Sequence, residues 1–94
     1  MEDQVKVIKT LSEKNRFAVF SFLLERKKEY CVLDIAKETN LKQYNVSRYL
    51  KELKNADLVT EKRKGQFVYY KVNKAKSAYA QNLMNCLKDM KKTG

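Results

Sequence analysis

The chain has 94 residues, 44% of them apolar, and a net charge of +10, and it contains no histidine. This length suits one compact domain over residues 1–94, and so small a core gains stability from a partner subunit. The sequence has no apolar run that could span a bilayer, no signal peptide, no recognisable nucleophile and base and no phosphate-binding loop, so it predicts neither a membrane protein nor an enzyme. We therefore expect a cytoplasmic protein without a cofactor, in which Cys31 and Cys86 are reduced.

The positive charge is concentrated in the middle of the chain. Residues 40–74 carry nine basic and three acidic side chains. A local excess of this kind favours a surface that binds a polyanion such as nucleic acid. The alternative is a lysine-rich surface that is only solvated.

The first third of the chain predicts two helices. Val5, Ile8 and Leu11 have the spacing of a short amphipathic helix over residues 1–11. Ser12 is then the predicted N-cap of a second helix that runs to residue 28. Apolar side chains occur almost all round this second helix, so we expect it to be central and buried.

The next segment has the spacing of a helix-turn-helix. A short third helix contains Ala36 and stops near Asn40, a residue that tolerates the left-handed conformation of a tight turn. A fourth helix over residues 43–55 buries an apolar stripe that starts at Val46. A small residue, a turn residue and a β-branched residue at these positions are typical of two crossed helices in close contact.

The opposite face of the fourth helix offers side chains that can read bases. Arg48 can bind guanine through two hydrogen bonds and Asn45 can bind adenine, whereas Ser47 and the lysines suit phosphates. The helix and its first turn contribute these predicted DNA contacts: Lys42, Gln43, Tyr44, Asn45, Ser47, Arg48, Lys51 and Lys54. Lys42 is a poor N-cap, so we expect a weak cap at this helix. An ordinary solvated helix face is the alternative.

A β-hairpin follows the fourth helix. The apolar period changes to two, which predicts strands over residues 58–63 and 66–72 around a turn at Lys64 and Gly65. Lys62, Arg63 and Lys64 lie at its tip, so the hairpin is predicted to be a wing that contacts the phosphate backbone or the minor groove. A plain edge hairpin kept soluble by lysines is the alternative.

The last predicted helix, over residues 73–92, has an apolar stripe too long to leave in water. The stripe contains Ala75, Tyr79, Ala80, Leu83, Cys86, Leu87 and Met90. Because the first helix is too short to cover it, the pattern predicts a homodimer. The predicted interface residues are Val5, Ile8, Leu11, Tyr79, Leu83, Cys86, Leu87 and Met90. Two recognition helices about one DNA turn apart would require a near-palindromic site on double-stranded DNA.

Two stretches of the chain resemble the winged-helix ArsR/SmtB repressors. They are EYCVLDIAKETNLKQYNVSRYLKELKNADLV and EKRKGQFVYYKV, and the resemblance is close over residues 10–72. It implies a mainly α winged helix-turn-helix with four helices, a small β-hairpin wing and a fifth helix. It also implies that the fourth helix reads the major groove and that the terminal helices form the dimer. The expected function is sequence-specific transcriptional repression.

The resemblance also bears on metal sensing. The arsenic and cadmium sensors of that family have a second cysteine at the position of Leu33, two residues after Cys31. The positions that match the family's second metal site, on its last helix, hold Lys74, Lys76, Leu87 and Met90. These side chains are unsuited to a zinc site, so we expect no metal there and leave the existence of an inducer open.

Three interpretations of Cys31 and Asp34 stay open. In the first, Asp34 caps the third helix and Cys31 only fills space. In the second, Cys31 is redox-active, because a helix N-terminus favours a thiolate. In the third, the two residues share a metal with Glu2 or Asp3 of the other subunit. Cys86 is predicted to fill space in the core or the interface.

Two other functions are compatible with the same pattern. A winged helix can act as a protein-interaction module inside a transcription or chromatin assembly. It can also be a nonspecific architectural DNA binder, whose affinity depends steeply on salt and little on sequence.

Overall fold

Five α-helices and a three-stranded sheet make up the described part of the chain. The computed structural model describes residues 2–93, and the side chains of residues 4–89. The elements are α1 (Glu2–Ser12), α2 (Lys14–Arg26), β1 (Tyr30–Cys31), α3 (Val32–Thr39), α4 (Gln43–Asn55), β2 (Val59–Lys64), β3 (Phe67–Val72), a short 3-10 helix (Lys74–Lys76) and α5 (Ser77–Thr93). The strands are antiparallel in the order β1-β3-β2. The predicted order of helices and hairpin is confirmed, with β1 as an addition.

Helix α2 lies at the centre of the core, as predicted. Val19, Phe20 and Leu23 are fully buried, and the helix packs against α1, α3, α4, α5 and β3. It ends two residues earlier than predicted, because Lys27 adopts the left-handed conformation with a φ of 57°. The Lys27 amide donates a hydrogen bond to the Leu23 carbonyl at 3.1 Å, which closes the helix.

The predicted N-cap at Ser12 is wrong. Ser12 is the last residue of α1, and its hydroxyl donates a hydrogen bond to the Ile8 carbonyl at 2.6 Å. Glu13 is the N-cap of α2, and its carboxylate accepts a hydrogen bond from the backbone amide of Asn15. Capping preference alone placed the boundary at the serine, whereas the chain turns one residue later.

Helix α1 divides its apolar side chains between the core and the surface of the protomer. Val7 and Leu11, one turn apart, are fully buried, whereas Val5 is 51% exposed and Ile8 is 42% exposed. Leu11 therefore lies in the core of the protomer and not on its surface with Val5 and Ile8. Apolar residues occur on two sides of α1, and its packing against α2 and α5 selects the side with Val7 and Leu11.

The α3-turn-α4 segment has the predicted helix-turn-helix geometry. Asn40 closes α3 in the left-handed conformation with a φ of 58°. The Leu41 amide donates to the Ala36 carbonyl at 3.1 Å. Val46 is fully buried and Ala36 is nearly so, which is why the two helices can cross closely. Tyr49, which the sequence pattern does not single out, is buried as well.

The hairpin has a two-residue loop, one residue later than predicted. Lys64 pairs with Phe67, so the loop consists of residues 65 and 66. Gly65 has a φ of 61° and is the only loop residue with a positive φ, which is the pattern of a type II′ turn. Such a turn matches the twist of the two strands and keeps the hairpin tightly paired.

Strand β1 joins the start of α3 to the sheet. Cys31 lies opposite Tyr69, and Tyr30 lies opposite Tyr70 on β3. The Tyr30 ring also packs against Phe22 of α2 with the ring centroids 4.9 Å apart. A strand of two residues is too short to produce an alternating pattern, so periodicity does not predict it.

Helix α5 starts four residues later than predicted. Asn73 instead caps the 3-10 helix, where its side chain accepts a hydrogen bond from the Ala75 amide at 3.2 Å. Ala75 is exposed and does not belong to the apolar stripe.

The face of α5 that is buried within the protomer coincides only in part with the stripe predicted for the dimer interface. Ala80 and Met84 are fully buried, and Met84 is absent from the predicted stripe. Tyr79, Leu83 and Leu87 pack against the core at one edge of this face, whereas Cys86 is exposed. The Met90 side chain lies outside the described residues.

Replacement of Asn40 tests the turn between α3 and α4. Asn40→Ala should lower the free energy of unfolding by roughly 1 kcal/mol, because a Cβ-bearing residue without a local hydrogen-bonding side chain is strained at positive φ. Asn40→Gly should leave stability nearly unchanged. Urea denaturation measures both, with Lys37→Ala on the exposed face of α3 as the control. Equal stability of Asn40→Ala and Asn40→Gly would contradict the role assigned to this residue.

Candidate nucleic-acid interface

The exposed face of α4 presents the predicted DNA contacts. Tyr44 is 78% exposed in the first turn of the helix. The lysines, the glutamine and the arginine of the predicted set are exposed, and two smaller side chains, Asn45 and Ser47, are half-buried. Lys42 is the N-cap, and its side chain makes no capping hydrogen bond, in agreement with the weak cap predicted from sequence. The first-turn amides of α4 thus have no side-chain cap from Lys42.

The buried Tyr49 ring supports Arg48. The guanidinium carbon of Arg48 lies 5.7 Å from the centroid of that ring, within the range of a cation–π contact. Tyr49 is itself tied to α2, because its hydroxyl accepts a hydrogen bond from the Asn15 side chain at 3.0 Å. The guanidinium group of Arg48 therefore packs on a buried aromatic ring, and that ring is hydrogen-bonded to α2.

A second polar link fixes α4 against the first two helices. Arg16 on α2 donates hydrogen bonds to the Glu52 carboxylate at 2.5 Å and to the Thr10 carbonyl at 2.8 Å. The arginine side chain is only 22% exposed, so this pair is better shielded than a typical surface ion pair. The sequence pattern does not predict this link, because its members are 36 residues apart in the chain.

The tip of the hairpin carries the predicted basic residues. Lys62, Arg63 and Lys64 are all exposed on β2. Successive side chains of a strand point to opposite faces, so Lys62 and Lys64 share one face of the sheet and Arg63 lies on the other. The hairpin can therefore present cations on both sides.

Two of the predicted phosphate-binding lysines are paired with carboxylates. Lys54 on α4 bonds Glu61 on β2, and Lys64 on β2 bonds Glu29 in the loop before β1. The hydrogen bond from Lys64 is the main cause that lowers the pKa of Glu29, and the bond from Lys54 does the same for Glu61. Burial, followed by the neighbouring Glu61, raises the pKa of Tyr70.

These ion pairs connect the two parts of the interface. The Lys54–Glu61 pair joins the last turn of α4 to the hairpin, and α4 also packs against β2. The recognition face of α4 and the basic tip are thus parts of one packed unit. Lys51, Lys62 and Arg63 are in no ion pair of the described residues and are available to phosphates as the structure stands.

Cys31 and Asp34 contact each other at the start of α3. The Cys31 thiol donates a hydrogen bond to the Asp34 carboxylate at 3.3 Å. Cys31 occupies the N-cap position, but its side chain makes no capping hydrogen bond to the backbone amides of the first turn. Among the described residues, no group of three potential metal ligands comes together. Glu2 and Asp3, the predicted partners from the other subunit, have side chains outside that range.

Five of the eight predicted dimer residues fall into two groups. Val5 and Ile8 are exposed on α1, whereas Tyr79, Leu83 and Leu87 are half-buried on α5. The two helices are in contact, so these side chains belong to neighbouring surfaces. Among the described residues, no helix is long and apolar enough to span a bilayer.

Comparison with known proteins places this geometry in a family. Residues 13–61 match the family described as bacterial regulatory protein, arsR family, which is more than half of the chain. The chain belongs to this arsR family. The family is one of bacterial regulatory proteins, so the match places the chain among regulatory proteins.

Individual relatives agree with this assignment. The arsenic resistance transcriptional regulator ArsR1 of Pseudomonas putida is 36% identical over 67 residues, which cover 71% of this chain and 52% of ArsR1. The match thus spans about half of the length of that relative. The transcriptional repressor SdpR of Bacillus subtilis is 33% identical over 67 residues, which cover 71% of this chain and 72% of SdpR.

A solved structure confirms the fold. It is the homodimeric winged helix-turn-helix DNA-binding domain of a possible ArsR-family transcriptional regulator from Mycobacterium bovis, determined by NMR. The two structures align with a TM-score of 0.79 and 26% identity, over 94% of this chain and 80% of the other. The predicted fold class, a mainly α winged helix-turn-helix with a small β-hairpin, is therefore confirmed.

Removal of the Glu29 carboxylate tests whether it restrains a DNA-binding lysine. Glu29→Gln should raise the affinity for a DNA duplex from upstream of the gene, because Lys64 loses its carboxylate partner. The slope of log K against log salt should also steepen by roughly one, because the freed lysine adds a phosphate contact. Fluorescence anisotropy at several salt concentrations measures both quantities. Glu38→Gln, an exposed residue of α3, is the control with the same charge change, and equal effects of the two substitutions would contradict the prediction.

Proposed function

We propose that this chain is a cytoplasmic, homodimeric repressor that binds a near-palindromic operator and occludes a promoter. The proposal assigns one domain to the chain, with α4 in the major groove, the β2–β3 hairpin on the adjacent backbone and α1 and α5 at the dimer interface. The observation that carries it is the presentation of Arg48, Asn45 and Tyr44 beside the basic hairpin on one packed unit. This arrangement combines base-reading groups with phosphate-binding groups, as sequence-specific binding requires.

The relatives support the mode of action. SdpR is a transcriptional repressor, and the Mycobacterium bovis domain is a homodimeric DNA-binding domain. A two-fold dimer binds two half-sites about one helical turn apart, so the operator should have approximate two-fold symmetry. The exposed Val5 and Ile8 and the half-buried residues of α5 offer the apolar surface for such a dimer.

The proposed repressor responds to no metal through the family's usual sites. Leu33 is exposed where those sensors have a second cysteine, and Lys74 and Lys76 are cations at two positions of the other site. Metal-binding sites require deprotonated thiol, imidazole or carboxylate ligands, which these positions lack. The operator complex should therefore be equally stable with and without zinc or arsenite.

Substitutions on α4 and on the hairpin test sequence-specific binding. Arg48→Ala should weaken operator binding by about 1–3 kcal/mol and reduce discrimination at the base it contacts. Lys62→Ala should weaken binding to all sequences alike and reduce the salt slope by about one. Anisotropy titrations with operator and scrambled duplexes measure these effects, and Lys37→Ala, away from the interface, is the control.

The same titrations of the wild-type protein also distinguish the proposed repressor from two alternative functions. A wild-type protein with equal affinity for both duplexes would contradict the proposal and favour an architectural DNA binder. A protein without affinity for either duplex would contradict it in favour of a protein-interaction module.

Polar substitutions on α1 test the dimer. Val5→Ser combined with Ile8→Ser should raise the dimer dissociation constant by about tenfold or more, because two apolar side chains leave the interface. Sedimentation equilibrium measures this constant. Leu33→Ser is the matched control, since Leu33 is 59% exposed on α3, outside the proposed interface. An unchanged dissociation constant in the double variant would exclude this surface from the interface.

A further inference from the structure

A cavity of about 360 Å³ lies at the base of the hairpin. Its walls come from the end of α2, the end of β3 and the start of α5. The lining residues are Leu24, Lys27, Lys71, Val72, Lys74 and Ser77. We refer to this space as the basal cavity. Its volume is at the lower end of the range for small-molecule sites.

The charged residues around the basal cavity all have the same sign. Lys27, Lys71 and Lys74 line it, and no acidic residue does. No ion pair within the described part of the chain includes any of these lysines. Like charges on these three exposed residues repel each other, and an anion bound among them would reduce that repulsion.

The acidic groups nearby do not provide that anion. Lys71 is close enough to contribute to the lowered pKa of Glu29, but the hydrogen bond from Lys64 is the main cause. The Asp57 carboxylate lies 3.9 Å from the ammonium group of Lys76, which is outside the cavity lining. The positive charge of the basal cavity is therefore not balanced by a carboxylate among its lining residues.

The backbone around the basal cavity places the lysines where other residues would be more stable. Lys27 has a positive φ at a helix C-terminus, a position at which glycine or asparagine is common. Lys74 precedes α5, where the positive end of the helix dipole favours acidic side chains, and the first turn of α5 contains none. A bound anion would offset the unfavourable interaction between Lys74 and this dipole, whereas the positive φ of Lys27 is a backbone property that does not depend on charge.

The rest of the lining is suited to an organic molecule. Leu24 and Val72 are half-buried and contribute the apolar wall, and both pack against the hydrophobic core. The Ser77 hydroxyl donates to the Lys74 carbonyl at 3.1 Å, and its oxygen can accept a further hydrogen bond. An apolar wall with a few convergent polar groups is the usual composition of a small-molecule site.

We propose that the basal cavity binds a small organic anion, whose phosphate or carboxylate group pairs with Lys27, Lys71 and Lys74 while its apolar part packs on Leu24 and Val72. Four residues of β3, roughly 14 Å at about 3.4 Å per residue, separate Lys71 from Phe67 at the tip, so the proposed occupant is a free small anion and not a DNA phosphate held at the tip. A bound anion would contact the hairpin, α2 and α5 together.

Isothermal titration calorimetry with phenyl phosphate, without DNA, tests the proposal. Phenyl phosphate should bind saturably and more tightly than inorganic phosphate, because only the former covers the apolar wall. Lys71→Gln combined with Lys74→Gln should weaken the binding of phenyl phosphate by about tenfold or more. Lys28→Gln combined with Lys37→Gln removes the same charge from exposed residues outside the cavity and should change the affinity by less than about twofold.

Three results would overturn the proposal. They are the absence of saturable binding, equal affinities for phenyl phosphate and inorganic phosphate, and an equal loss of affinity in the two double variants. The last result would mean a general attraction of anions to a basic protein. Backbone amide shifts of residues 24–27 and 71–77 provide a second readout, which should move on titration and locate the ligand. Because DNA is absent, failure of the proposed repressor function would leave this test unaffected.

Discussion

The burial of α2 is the constraint on which the rest of the structure depends. The helix is apolar almost all round, and it can leave water only if every other α-helix and the sheet pack against it. Phe20 and Leu23 at its centre are fully buried, whereas Asn15 and Arg16 at its start bond to Tyr49 and Glu52. The same helix thus holds the core together and sets the position of α4.

The ion pairs of the interface have a different role from that of the buried contacts. Exposed pairs such as Lys54–Glu61 and Lys64–Glu29 contribute little to stability, because water screens them. Their effect is to reduce the number of unpaired lysines that could bind phosphates. A lysine that exchanges a carboxylate for a phosphate releases fewer counterions than a free lysine does. In the proposed DNA complex, part of the basic charge of the chain is therefore held back from nonspecific binding, while Arg48 is in no ion pair of the described residues.

Sequence reasoning predicts the elements whose periodicity is strong. The stripe of α4 that starts at Val46, the left-handed Asn40 and the paired hairpin are recognisable because local sequence determines each of them. It does not predict the burial of Val7 on α1, because apolar residues on two sides of this helix leave the buried face to the packing partners. The burial of Met84 on α5, where Cys86 is exposed, has the same cause.

The candidate site is predictable only in part for a similar reason. The basic and polar residues of α4 and of the hairpin are evident from composition and spacing. Their partners are not, because Glu29 and Lys64 are 35 residues apart, and no local pattern indicates that they meet. The basal cavity likewise joins residues from three distant segments of the chain.

The division of α4 into two faces has a consequence for how such a regulator can change its target. Val46, Leu50 and Leu53 are fully buried and hold the helix in place, whereas Gln43, Tyr44 and Lys51 lie open to solvent. Surface substitutions away from packed contacts usually change stability by at most about 0.5 kcal/mol. For the proposed repressor, single exposed substitutions could thus change the operator while leaving folding intact, so that duplicated copies of the gene could acquire separate targets without passing through an unstable intermediate.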